Sequence, residues 1–145
     1  MQLPEYVTLS EVQRVCRELG FRDWTLLTGT EVLVKEASVL QAEVGGEALQ
    51  IPAEEFQLGL EVELEHGLMF PDANVTNNHP LLIARIVLAH LKEMLDYYSR
   101  LEVAELEGDM LKALVANDSQ QLAAKYAKLI AARLKLSQRE VKSKE

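Results

Sequence analysis

A single cysteine, Cys16, stands in a chain of 145 residues. No internal disulfide can form, and the usage fits a reducing, cytoplasmic compartment. No apolar run approaches the roughly 20 residues that a membrane-spanning helix needs, and the segment from Met1 to Tyr6 lacks the basic-then-apolar layout of a signal peptide. Glycine-rich phosphate loops, Gly-x-Ser-x-Gly elbows, Cys-x-x-Cys pairs and His-Glu-x-x-His helices are all missing. NTPase, serine hydrolase, thiol redox and zincin chemistries therefore lack their minimum residues.

Basic side chains are scarce where acidic ones gather. Between Lys35 and Arg85 there is no Lys or Arg, whereas Glu36, Glu43, Glu47, Glu54, Glu55, Glu61, Glu63, Glu65 and Asp72 fall there. Such carboxylates are solvated on an exposed face, paired with the basic C-terminal helix, or bound to a cation. Residues 1–118 carry 21 acidic and 8 basic groups, and residues 119–145 carry 2 and 7, so a −13 body is followed by a +5 tail. An acidic body opposes a nucleic-acid footprint, and the tail is too mixed with Leu and Ala to form one.

The length suits one domain, or one compact domain with an appended helical hairpin, and 48% apolar with 26% charged residues is ordinary for a soluble globular protein. Thr8 with Glu11 forms a capping box before Leu9, Val12, Val15, Cys16 and Leu19, and Gly20 closes that helix. Phe21 to Leu33 reads as a connector with one helical turn. Ala37, Leu40 and Val44 predict a short helix ending at Gly45 and Gly46, with a short strand or hairpin left open near residues 39–51. Over residues 52–66 the alternation of Phe56, Leu58, Leu60, Val62 and Leu64 suggests a strand, but Pro52, Glu54 and Glu55 open a helix and Gly67 closes it. From Leu68 to His79 an Asx-rich turn caps the next helix, with Pro80 at its first position; the calcium-loop likeness of Asp72, Asn74 and Thr76 fails at Asn77 and Ile83. The Pro80 helix is predicted to run through Tyr97 to at least Glu105, and Asn117 and Asp118 separate it from a last helix. The plan is a single mainly α domain over 1–145: an N-terminal helical part (1–51), a core (52–101), an antiparallel hairpin (102–137) and a frayed polar tail (138–145).

His90 sits in the predicted apolar stripe of Ile83, Ile86, Val87, Met94, Tyr97 and Leu101, where an imidazole needs a reason. Glu63 with His66, and His90 with Glu93, are carboxylate–imidazole pairs at i, i+3, a spacing that lets one helix give an oxygen and a nitrogen to one ion. This points to a divalent metal (Fe, Zn or Mn) on Glu63, His66, His90 and Glu93, with Glu55 and Tyr97 as auxiliaries. The other reading is a helical interaction or scaffold protein that forms a homo-oligomer through the hairpin of residues 102–136, with His90 a structural core group and no metal. A tight hairpin would put His90 level with Glu55 and Phe56 as readily as with His66. No reaction is declared.

Glu55-Phe56, GLEVELEHG from Gly59 to Gly67, NVTN from Asn74, IVLAHLKE from Ile86 to Glu93 and DYYSRL from Asp96 resemble the motif string of an uncharacterised bacterial and phage family, a domain of unknown function. The resemblance spans about a third of the chain. It implies that the carboxylate and histidine block is the family's hallmark, and it brings no activity. Beside shorter phage members, the N-terminal helix and the C-terminal hairpin look like additions.

Overall fold

A computed structural model describes residues 6–142. All regular structure among them is helical, and the contacts divide the chain between Leu95 and Asp96. The first unit holds α1 (Leu9–Leu19), α2 (Val34–Val44), α3 (Ala53–Met69) and α4 (Pro80–Glu93); the second holds α5 (Tyr97–Val115) and α6 (Ser119–Lys142).

Local punctuation explains most boundaries. Thr8 Oγ1 accepts from the Glu11 N–H at 3.2 Å, and Gly20 ends α1 at φ 69°. Asn117 turns the chain at φ 55°, and the Asp118 carboxylate caps α6 by accepting from the Gln121 N–H at 2.9 Å. The conflict of period over residues 52–66 resolves as a helix because Phe56, Leu60 and Leu64, at i+4 spacing, are fully buried, while Leu58 and Val62 are half-buried at its margins. Instead of a strand near residues 39–51, α2 runs to Val44 and a 3-10 turn follows over Gly46–Gln50.

Three boundaries differ from expectation. Gly67 does not end α3, which continues to Met69. The helix begun at Pro80 stops at Glu93: Met94 is extended (φ −160°, ψ 121°) and Asp96 takes the N-cap position of α5. Helical period in the sequence runs straight through this break, so periodicity alone could not show it. Finally, α6 stays helical through Gln138 to Lys142, where fraying was expected; residues 143–145 of that expected tail, like residues 1–5 of the N-terminal segment, lie outside the described ones.

In the first unit α4 packs against α1, α2 and α3, and α2 against α3. Ile83, Ala84, Val87 and Leu91 of α4 are buried, as are Val12, Val15 and Cys16 of α1 and Leu40 of α2. Cys16 thus fills the core face of the first helix. The connector from Phe21 supplies Trp24, wholly buried, and beneath it lies Glu36, only 3% exposed. In the second unit α5 and α6 form the antiparallel hairpin, whose seam is Leu106, Leu129 and Ala132 flanked by Val103 and Met110.

Candidate functional site

Four carboxylates of the base-free stretch meet partners inside the first unit, and none of these partners comes from the basic C-terminal helix. Glu36 takes a bidentate bond from Arg22, Glu47 pairs with Lys92 at 2.9 Å, and Glu61 accepts from the Val32 N–H at 3.2 Å. Glu63 meets His90, with Oε1 3.5 Å from Nε2. The register question is thereby answered for this pair: α3 and α4 set His90 beside Glu63. His90 is not a core residue. Its side chain is 33% exposed, because the buried stripe of α4 follows Ile83, Val87 and Leu91, and His90 lies one position to the side.

His66 is exposed in the last turn of α3, and Glu93 is exposed as the last residue of α4. Glu55 is half-buried on α3. Tyr97 belongs to the second unit, where its ring meets Tyr98 edge-on at 5.2 Å. Among the described residues, no group of three or more His, Cys, Asp or Glu side chains is arranged to hold a metal ion.

Beside this block the loop before α4 is built from amides. Asn74 Nδ2 donates to the Gly67 carbonyl (3.2 Å) and to Asn78 Oδ1 (2.7 Å), while its Oδ1 accepts from the Thr76 hydroxyl (3.0 Å). Asn77 and Asn78 adopt φ 47° and 60°, values that asparagine tolerates better than most residues. Asn77 Nδ2 also donates to the Val7 carbonyl at 2.6 Å, tying the chain before α1 to this loop. His79, read from sequence as a turn residue, is the buried histidine, 8% exposed, and its Nδ1 accepts from the Leu82 N–H at 3.4 Å as the cap of α4. That role requires an unprotonated Nδ1, and burial pulls the imidazole pKa down against the raising effect of Glu11. Sequence placed the Asx turn and Pro80 correctly, but gave no sign that Gly67 serves the loop.

Between α3 and this loop lies an open cleft of ≈ 210 Å³, with Glu63 and His66 on one wall, Asn74 and Thr76 on the other, and Ile83 and Ile86 along α4. Its size admits one side-chain-sized group and falls below the range of ordinary cofactor pockets.

The hairpin carries a second feature. Residues 97–115 of α5 include four acidic and two basic side chains, and residues 119–142 of α6 include one and six. Two ion pairs bridge the helices, Asp109 with Lys125 at 2.6 Å and Glu107 with Arg133 at 2.5 Å; Lys125 holds the Asp109 carboxyl below its usual range. Glu107 lies one and two turns before Leu111 and Leu114, and Arg133 one and two turns after Ile130 and Tyr126. The Glu107–Arg133 bridge therefore puts both apolar sets on one side of the hairpin. There Leu111 (62% exposed), Leu114 (59%), Tyr126 (53%), Ile130 (52%) and Leu134 (60%) stand in solvent.

No curated protein and no solved structure matches the chain. A family model does, over residues 12–107, from within α1 to the middle of α5. That range takes in α1 from Val12 onward and leaves α6 outside. The chain belongs to the family described as Protein of unknown function (DUF5661).

Proposed function

We propose that this chain is a helical interaction protein that self-associates through its C-terminal hairpin, while the first unit forms a folded base in which His90 and Glu63 are a structural pair. One observation carries this: five large apolar side chains, all more than half exposed, share the side of α5 and α6 marked by Glu107 and Arg133. Contiguous apolar area of this kind marks association surfaces, whereas scattered apolar residues do not. The hairpin's own seam is thin, with Leu106, Leu129 and Ala132 its buried cluster, and small units usually need a further source of burial. Completing the burial of each half-exposed side chain is worth ~1 kcal/mol, so the set is a substantial part of what association costs, ~4–15 kcal/mol. Sedimentation velocity on the full chain and on the Ile130→Glu, Leu134→Glu double variant tests the reading: the variant should sediment as a monomer with unchanged helical content, and association surviving both glutamates refutes it.

A divalent metal on α3 and α4 is the second reading, favoured by the approach of Glu63 to His90 and by the position of His66 on the same cleft. Elemental analysis of untagged protein is its test. A bound ion requires about one equivalent per chain or per dimer, and a content below about a tenth of that removes this reading.

A further inference from the structure

We propose that His79 is an acid-sensitive latch between α1 and α4: a proton on its Nδ1 removes the cap of α4 and releases the loop that holds the start of α1. The latch lies within the first unit and is independent of how the hairpin associates.

Geometry decides which nitrogen is involved. Nδ1 accepts from the Leu82 N–H at 3.4 Å, so the neutral imidazole carries its hydrogen on Nε2, and Nδ1 is the atom that takes a further proton. Once protonated, the ring has only donors to offer. The Leu82 N–H then loses its acceptor, and the imidazolium stands at the positive end of the α4 dipole, in a first turn where Pro80 already lacks an N–H. Little water reaches the ring to offset this, since His79 is 8% exposed. Closed, the site resists the proton; opened, it accepts one.

His79 is tied to α1 in two ways. Its own N–H donates to the Thr76 carbonyl at 2.9 Å, and in the same turn Asn77 Nδ2 donates to the Val7 carbonyl at 2.6 Å, directly before the Thr8 cap of α1. Loosening that turn therefore loosens the entry to α1. Where α1 packs on α4, the charges that act on the imidazole are Glu11, which favours its protonation, and Arg14, which opposes it. Both belong to α1. Among the described residues, α2 and α3, the other helices packed on α4, bring no charge to bear on the ring, and neither does the turn from Asn74 to Asn78, which has no charged side chain. Glu11 is paired with Arg14 at 2.6 Å and its side chain is 42% exposed, so its pull on His79 is shared and screened.

Burial is the stronger influence, and it keeps the imidazole pKa below its ordinary value of 6.5. Stability from the latch is therefore complete at neutral pH. As pH falls through 6.5, the open form takes up the proton first, and the closed form loses ground by up to about ten-fold per pH unit until the folded imidazole titrates as well.

The test is hydrogen exchange on the full chain from about pH 7.5 to 5, corrected for the intrinsic pH dependence of amide exchange, beside an NMR titration of the His79 ring. Protection of the Leu82 amide and of Val12, Val15 and Cys16 in α1 should fall together below pH 6.5. His79→Asn supplies a cap that does not titrate and should abolish the fall, whereas His66→Gln with His90→Gln should leave it as in wild type. Glu11→Gln should move the titration of the ring itself to lower pH. A ring that titrates at 6.5 or above overturns the proposal, even where the asparagine variant fails to fold. So does protection that falls at Leu82 alone while α1 holds, or a fall that persists in His79→Asn.

Discussion

Glu36→Ala is expected to lower the stability of the chain by about 3 kcal/mol, a large share of the total for a domain of this size. Glu36 is 3% exposed and accepts four bonds: Arg22 Nε at 3.1 Å and Nη2 at 2.7 Å, the Leu33 N–H at 3.1 Å and the Trp24 indole N–H at 3.4 Å. It joins the connector to the first turn of α2 and holds the wholly buried Trp24 in place. The alanine would strip an acceptor from an indole that has no water to turn to, and would leave the Arg22 guanidinium without its carboxylate. Because the Arg22 side chain is 38% exposed, partial rehydration keeps the cost at the lower end of the range for a broken buried pair. Urea unfolding followed by Trp24 fluorescence reads this directly, as Trp24 is the one tryptophan of the chain.

Acid supplies a second reading of the same residue. Burial pushes the Glu36 carboxyl upward, yet bonds from Arg22 and the Leu33 N–H outweigh it and hold the pKa below its ordinary value of 4.5. A depressed carboxyl gives its full stabilisation above that value. As pH falls below it, the unfolded chain takes up the proton first and stability declines until the folded carboxyl protonates too. The alanine variant lacks this loss, so the gap between wild type and variant should narrow in acid; a constant gap would show that Glu36 matters through shape alone.

Gly67→Ala should cost about 2 kcal/mol, by a different route. A Cβ at Gly67 falls 2.2 Å from Asn78 Oδ1 and 2.9 Å from Asn74 Nδ2. Neither asparagine can step aside cheaply, since Asn74 already binds Gly67 O, Asn78 and Thr76, and Asn78 is 7% exposed in a left-handed backbone conformation. Moving them loosens the turn that presents His79 as the cap of α4. Asn78→Gly removes the obstructing side chain and suits φ 60°. Combined with Gly67→Ala it should lose less than the sum of the two single variants, and strict additivity in a denaturant-unfolding cycle would contradict the steric explanation.

These two positions show where sequence reasoning stops. Helix caps are local chemistry, so Thr8, Gly20, Asn117 and Asp118 were legible and stand where expected. Gly67 was read through the same rules as a helix end, because its purpose is a loop side chain arriving from eleven residues further on. Glu36 looked like one more acid in a base-free stretch; its partner Arg22 lies fourteen residues back, beyond any local pattern. His90 drew attention for the right spacing and the wrong reason. A stripe drawn through Ile86 and Met94 put it in the core, while the true stripe through Ile83, Val87 and Leu91 turns it to the margin beside Glu63. The i, i+3 pairs describe what each helix presents, and only the register between α3 and α4 decides which groups meet.

The hairpin was legible as topology, and its surface was not. Period alone gives α6 a stripe of Tyr126, Leu129 and Ile130, but burial separates Leu129, 3% exposed, from Tyr126 and Ile130, each more than half exposed. The stripe is in fact two seams, one satisfied within the chain and one facing outward. That outer seam makes α5 and α6 the association surface in this account and leaves Glu63 and His90 a structural pair in the base.

The most direct test of that claim is the mass of the full chain by multi-angle light scattering across a dilution series from about 1 to 200 µM, where standard-size interfaces hold. The account predicts twice the mass of one chain at the upper end, falling to a single chain on dilution. One chain's mass at every concentration would contradict it.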